Sequence, residues 1–341
     1  MSTTKAPRRR RATGRVTLQD VAAAAGVSPI TASRALRGER AVAAELVQRV
    51  QAAVAQLGYV PDPAARALAS SRSNQVVVLV PLLSNRLFVD LLEAAQSSLL
   101  AAGYQSLIGI THYAPEEEEA LLRSYLLNRP AGLLLTGLDR SEAAQALLAH
   151  SGVPCVHMME TREQPGLYSV GFSQQAAGAA MTAALMARGY RHIAFAAAQL
   201  DPRTLQRAHG YRQALGAAHR PELEFLDNQP SSTALGAALL QRVLREAPQV
   251  DAIFFNNDDL AQGALLEALR QGLAVPQRMA ICGFNDLASN TEMIPPLSSV
   301  RTPRGEIGAQ AAAMLIRLMR GEVVERSSLD LGFQVMLRQS C

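Results

Sequence analysis

Apolar residues first recur at helical spacing at Leu18, Val21 and Ala22. Thr17 precedes this run and Asp20 stands at its third helical position, the two partners of a capping box. Gly26 predicts a left-handed stop. Ser28 then caps a second helix with Pro29 at its first position, where a missing N–H is harmless, and that helix runs to about Leu36. A third, from about Val42 to Leu57, turns Leu46, Val50, Val54 and Leu57 to one side and ends at Gly58. Two short helices joined by a glycine turn, with a third closing the core, make the helix-turn-helix plan. The second helix turns Pro29, Ile30, Thr31, Ser33, Arg34 and Arg37 outward. Pro61 and Pro63 end this unit. Asp62 and Pro63 start a helix of about two turns, too short to be stable without a partner.

From Val76 the pattern changes. Apolar runs at Val76–Pro81, Tyr104–Ile110, Ala131–Thr136, Val153–His157 and Tyr168–Phe172 read as strands, with helices near 86–102 and 116–128. A second series places strands at His192–Ala197, Glu222–Leu226, Ala252–Asn256 and Met279–Phe284, with helices at 174–188, 203–218, 233–246 and 258–271. The segment LDLGFQVML near the end reads as one further strand. Apolar β runs alternating with helices predict parallel sheets covered on both faces. Two such series predict an α/β body of two doubly wound subdomains with a ligand cleft at their strand C-termini. The expected boundaries are a disordered basic arm 1–14, a helix-turn-helix domain 15–60, a hinge helix 61–73 and a body 74–341. Within the body one subdomain takes about 74–171 and 300–328, the other about 172–299 and 329–341.

Composition narrows the chemistry. The chain has 341 residues and is 49% hydrophobic, enough for large cores. No apolar run reaches a membrane span, and no signal sequence is read at the arginine-rich N-terminus, so a cytoplasmic protein without membrane contact is expected. Of 33 Lys/Arg and 29 Asp/Glu, residues 1–73 hold twelve and four, so the head is net +8 and the body net −4. A basic head on a mildly acidic body points to polyanion binding. The only lysine is Lys5, which excludes a phosphate-binding GK[ST] loop and a Schiff-base lysine. The three cysteines and six histidines lack metal-ligand spacing, and there is no HExxH, GxSxG or CxxC. Neither a cofactor, a metal nor an enzymatic activity is therefore expected.

The segments VTLQDVAAAAGVSPITASRALRGERAV and LGYVPDPAARALAS resemble the DNA-binding head of the lactose-repressor (LacI/GalR) family. VGFSQQAAG, ARGYRHIAF, FNNDDLAQGALLEALRQGLAVPQRMAICGFNDL and IPPLSSVRTP extend the resemblance to that family's periplasmic-binding-protein-like body. VPLLSNRLFVDLL, YAPEEEEALL and LDPRTLQRAHGY are similar to gluconate-type repressors within it. The resemblance implies a homodimer on a palindromic double-stranded operator, with recognition helices in successive major grooves and Leu68 of paired hinge helices wedged into the minor groove. It implies DNA contacts at Thr17, Leu18, Ser28, Pro29, Ile30, Thr31, Ser33, Arg34, Arg37, Tyr59, Arg66, Leu68 and Ala69. The absence of C-terminal heptads argues for a dimer rather than a tetramer.

Ligand candidates follow the strand ends: Ser84, Asn85 and Phe88; Glu160, beside Met159 and Thr161; Arg203 and Arg207; Asn257 and Asp258; and Asn285. Arg203 and Arg207 lie one turn apart and together match a carboxylate. Asn285 stands where many sugar-binding relatives carry aspartate, and Ser231 where they carry an aromatic, which favours a hydroxyl-rich or anionic ligand such as gluconate or 2-ketogluconate. The run Glu116–Glu119 reads as a helix N-terminal cluster favoured by the dipole. Cys155, Cys282 and His157 read as core. The function expected is a repressor of sugar-acid metabolism genes. A neutral sugar, a corepressor logic or a solute-binding protein are the alternatives.

Overall fold

The structure, a computed structural model, describes residues 16–36, 38, 42–60, 73–83 and 86–341. The expected arm 1–14 and hinge helix, and with them Arg37, Arg66, Leu68, Ala69, Ser84 and Asn85, lie outside the described residues. The head (1–73) and the body (74–341) are separate compact units.

In the head, α1 (Leu18–Ala25), α2 (Pro29–Leu36) and α3 (Ala44–Leu57) form the expected three-helix unit. The Thr17 hydroxyl and the Asp20 carboxylate satisfy each other's backbone N–H groups, completing the capping box. Gly26 ends α1 at φ 62°. Arg49 of α3 donates to the carbonyls of Ala25 and Gly26, orphaned where α1 stops. The core is made of small side chains: Val21, Ala22, Ala25, Ala32, Ala35, Val50 and Ala53. With little side-chain volume between them, the helices approach closely enough to bury it.

The body holds two parallel sheets. The first contains β1 (Gln75–Val80), β2 (Gln105–Ile110), β3 (Gly132–Thr136), β4 (Cys155–Met158) and β5 (Ser169–Gly171). Its helices are α4 (Leu87–Ala101), α5 (Pro115–Leu126) and α6 (Glu142–Ser151). The second contains β6 (Ile193–Ala197), β7 (Leu223–Leu226), β8 (Ala252–Phe255) and β9 (Ala280–Cys282), in the order β7-β6-β8-β9. Its helices are α7 (Gln174–Ala187), α8 (Pro202–Ala217), α9 (Thr233–Glu246) and α10 (Asp258–Arg270). After β10 (Ser299–Arg301), α11 (Arg304–Met319) packs on α4 and the first sheet.

Four features depart from the sequence reading, one of them the unassigned strand β10. Helix α6 fills a stretch where no element was expected; its alanine-rich sequence buries only Ala144 fully, so its apolar stripe is faint. Helix α11 was likewise unassigned. The segment LDLGFQVML is two strands, not one: Gly332 at φ 69° separates β11 (Ser328–Asp330) from β12 (Gln334–Met336). Strand β11 pairs with β5, giving the first sheet the order β11-β5-β4-β3-β1-β2, while β12 pairs antiparallel with β10. The final crossing between halves therefore falls around Gly332 and not at 328/329.

One apolar cluster runs through both halves, and a chain of rings marks it. Phe172 stacks on Phe284 at 6.2 Å, Phe284 neighbours Phe254 at 6.5 Å, and Phe195 bridges Phe254 and Tyr211 at 5.4 and 5.5 Å.

Helix pairing in the second half rests on close backbone approach. A Cβ added at Gly210 of α8 would lie 2.0 Å from the Gln175 carbonyl oxygen of α7, whereas one at Gly216 meets nothing within 4 Å. Alanine normally stabilises a helix over glycine by up to about 1 kcal/mol. We expect that sign only for Gly216→Ala. Gly210→Ala should destabilise by about 1–3 kcal/mol through overpacking. Urea unfolding of both variants checks the contrast.

Candidate functional site

A cavity of about 290 Å³ lies between the halves at the C-terminal ends of their strands. The first half contributes Leu82, Leu87, Phe88, Tyr113 and Met159. The second contributes Gln199, Asp201, Arg203, Thr204, Arg207, Ser231, Asn256, Asn257, Asp259 and Asn285. Several wall residues hold φ angles that only the surrounding fold imposes: Tyr113 (59°), Met159 (75°), Gln199 (53°) and Asn285 (111°).

Arg207 is the centre of the second wall. Its guanidinium lies over the Phe284 ring, 3.9 Å from the centroid. Nε donates to Gln174 Oε1 at 2.8 Å and Nη1 to the Asn256 carbonyl at 2.7 Å. Both acceptors are neutral, and among the described residues no carboxylate lies within 4 Å. Burial presses its pKa down to about 10, although Asp201 works in the opposite direction. This is a buried cation with no carboxylate in contact with it, a costly arrangement unless an anion joins it.

Arg203, one turn earlier on α8, has the opposite environment. It pairs with Asp201 at 3.2 Å and Glu160 at 3.6 Å. Burial opposes its charge, but Asp201, Tyr113 and Glu160 hold its pKa above the ordinary value. The expected two-arginine fork is thus not what the structure contains: both side chains line the cavity, but Arg203 is already committed.

Two further expectations are corrected. Glu160 is buried behind the wall, where it accepts from Leu138 N at 3.2 Å and Gln206 at 2.7 Å besides pairing with Arg203. Asp258 also lies behind the wall. It accepts from Ser299 at 2.7 Å and from Leu287 N at 2.8 Å, and burial raises its pKa to about 7 against those hydrogen bonds. Its neighbour Asp259 faces the cavity instead, since adjacent residues at a helix start point apart.

Phe88, Asn257 and Asn285 line the cavity as expected. Asn257 caps α10 by accepting from Leu260 N and is bonded to Ser231 at 2.7 Å. The buried Oδ1 of Asn285 has no hydrogen-bond partner. Tyr113, Gln199, Thr204 and Asn256 were missed. Asn256 ends a strand, a cue that sequence can give, but the positive φ of Tyr113 and Gln199 is invisible in residue identity.

On the head, Ser28, Pro29, Ile30 and Arg34 are exposed, and Ile30 is 65% exposed despite its apolar side chain. Thr31 and Ser33 are half-buried. Ser28 Oγ accepts from Thr31 N at 3.1 Å, capping α2. Leu18 and Tyr59 pack against the head's core, so their side chains do not belong to that exposed face. Thr17 is spent on its capping box. Of the groups read as core, Cys282 is buried, while Cys155 and His157 are half-buried. Burial and Arg140 lower the His157 pKa to about 4, so it is neutral. In the Glu116–Glu119 run, Glu118 pairs with Arg140 at 2.6 Å. Among the described residues no cluster of acidic, His and Cys side chains could hold a metal, and no helix is long and apolar enough to cross a membrane.

Residues 17–62 match the family of bacterial regulatory proteins of lacI type, and residues 182–341 match the periplasmic binding protein-like domain. The HTH-type transcriptional regulator GntR of Pseudomonas aeruginosa is 54% identical over 342 residues, covering all of both chains. The crystal structure of the transcription regulator GntR from Chromobacterium violaceum is 48% identical, with a TM-score of 0.76 over 78% of this chain and 98% of that one. The lac repressor dimer bound to operator and the anti-inducer ONPF is 25% identical, with a TM-score of 0.86 over 96% of this chain and 99% of that one. With a three-helix DNA-binding head, two parallel-sheet halves around a cleft and relatives matched along its whole length, the chain belongs to the LacI family of bacterial transcriptional regulators.

Proposed function

We propose that this regulator represses genes of sugar-acid metabolism and leaves a palindromic operator when an acid such as gluconate or 2-ketogluconate enters the cavity. The observation that carries the reading is Arg207, a buried guanidinium in the cavity wall with neutral partners only. Its Nη2 makes no hydrogen bond to another described residue, which leaves a donor for a carboxylate. Charge-assisted hydrogen bonds of this kind contribute about 1.5–3 kcal/mol. The Asn285 acceptor and the Ser231 hydroxyl suit a polyol chain. The cavity's volume suits a six-carbon acid. The N-termini of α8 and α10 add positive potential at the same wall.

The proposed logic is linkage. An acid that binds the operator-free conformation better by about 1–3 kcal/mol lowers operator affinity by the same free energy. The protein acts in the cytoplasm as a homodimer. Operator contact falls to the exposed residues Ser28, Pro29, Ile30 and Arg34 with Thr31 and Ser33, and to Arg37, Arg66, Leu68 and Ala69 outside the described residues.

We expect Arg207→Gln to weaken gluconate binding on the order of 100-fold, while operator affinity without ligand stays near wild type. Calorimetry with gluconate and with its uncharged lactone checks it. Equal loss for both compounds, or a wild type that prefers neutral sugars, defeats the carboxylate assignment.

On DNA, each phosphate neutralised contributes about −0.9 to the log–log salt slope, so about six contacts imply a slope near −5. Arg34→Ala should weaken operator binding, and Leu68→Ala should reduce operator bending. Fluorescence anisotropy at graded salt and gel-shift bend analysis measure these. An unchanged bend and affinity for Leu68→Ala overturns the wedge. Sedimentation of the operator complex should show two chains per site.

A further inference from the structure

A second cavity of about 370 Å³ adjoins the first. The two share Tyr113, Gln199, Asp201 and Arg203 in their linings. Beyond these residues the lining is mixed: Pro81, Ala114 and Leu200 are apolar, while Thr111, Ser141 and Asn228 offer hydroxyls and an amide, and Asp139 a carboxylate. Arg140 is also there, held by Glu118 at 2.6 Å and by the Gly137 carbonyl at 2.9 Å. That wall can hydrogen-bond a sugar ring but presents no uncommitted cation for a second carboxylate.

The shared wall is rigid. Arg203 is fixed by Asp201 and Glu160, and its guanidinium lies 5.7 Å from the Tyr113 ring centroid. Tyr113 follows the end of β2 at φ 59°, a left-handed backbone uncommon outside glycine and asparagine that sets the direction of its Cα–Cβ bond. The first cavity alone is at the lower end of the range of about 300–1,000 Å³ typical of ligand pockets, whereas the two joined would fall well inside it.

We propose that Tyr113 is a size-limiting residue: its ring confines the effector to a single six-carbon acid and excludes an aldobionic acid, in which a second sugar ring is attached to the same acid. This rests on the sugar-acid reading. The carboxylate end is common to both ligands and is held at Arg207, so discrimination between them falls on the shared wall. The space a second ring needs already exists behind Tyr113 and is lined to receive it.

The experiment is calorimetry on the full-length protein with gluconate and lactobionate, for the wild type, Tyr113→Gly and Tyr113→Phe. Glycine removes the ring and also relieves the positive φ. Tyr113→Asn, which tolerates the same backbone, replaces it should the glycine variant melt early. The wild type should bind lactobionate at least on the order of 100-fold more weakly than gluconate, since even a single misfit methylene discriminates by 10–200-fold. Tyr113→Phe should keep that ratio. Tyr113→Gly or Tyr113→Asn should gain about tenfold or more for lactobionate while losing less for gluconate. A wild type that binds both acids alike, or a folded small-residue variant with no gain for lactobionate, overturns the size limit and leaves the sugar-acid reading intact. A wild type that binds neither acid, nor 2-ketogluconate in the same assay, overturns that reading, and the size limit with it, before any variant is compared.

Discussion

The guanidinium of Arg207 on the Phe284 ring is the contact around which the body is organised. A cation removed from water must be solvated by the protein, and here an aromatic face, a side-chain carbonyl and a backbone carbonyl do so. None of these cancels the charge. The elements that supply them must hold position: Gln174 opens α7 and itself donates to the Met159 carbonyl in the first half, while Asn256 directly follows β8. A change in how the two halves meet at Met159 is thus carried directly to the group that stabilises the cation.

Arg203 shows how little residue type says about role. It is on the same helix and one turn away, yet its carboxylate partners make it part of the framework. Asp201 caps α8, bonds Thr204 and pairs with Arg203, so a single carboxylate fixes the helix start and the arginine together. Glu160, drawn into the cluster from the first half, ties that half to α8. Glu160, expected to meet a ligand, holds the wall from behind instead, because burying it beside Arg203 is favourable only while the two remain paired.

The ring chain from Phe172 through Phe284 to Tyr211 follows the same line. Phe172 is next to the first passage of the chain between halves, and Phe333, 6.4 Å from it, lies at the last. The crossings are therefore packed against apolar rings that continue to the floor of the cavity.

The alternation of apolar runs and helices was enough to determine the class of the body, because a strand buried on both faces must be apolar throughout and a crossover helix must carry a stripe. Caps at Thr17 and Ser28 were legible for the same local reason: a side chain satisfies a backbone group three residues away. Arg207 and Asn285 were found by their position after a strand or on a helix entering the cleft. Helix α6 was not, since its stripe is faint, and neither was the break at Gly332, where pairing with β5 and β10 draws one apolar run into two sheets. Only the tertiary structure decided which arginine is paired with carboxylates and which has neutral partners, which acid of the Asp258–Asp259 pair faces the ligand space, and that Tyr113 lines two cavities. Each of these depends on groups tens of residues apart, whose distances follow from packing and leave no periodic trace in the chain.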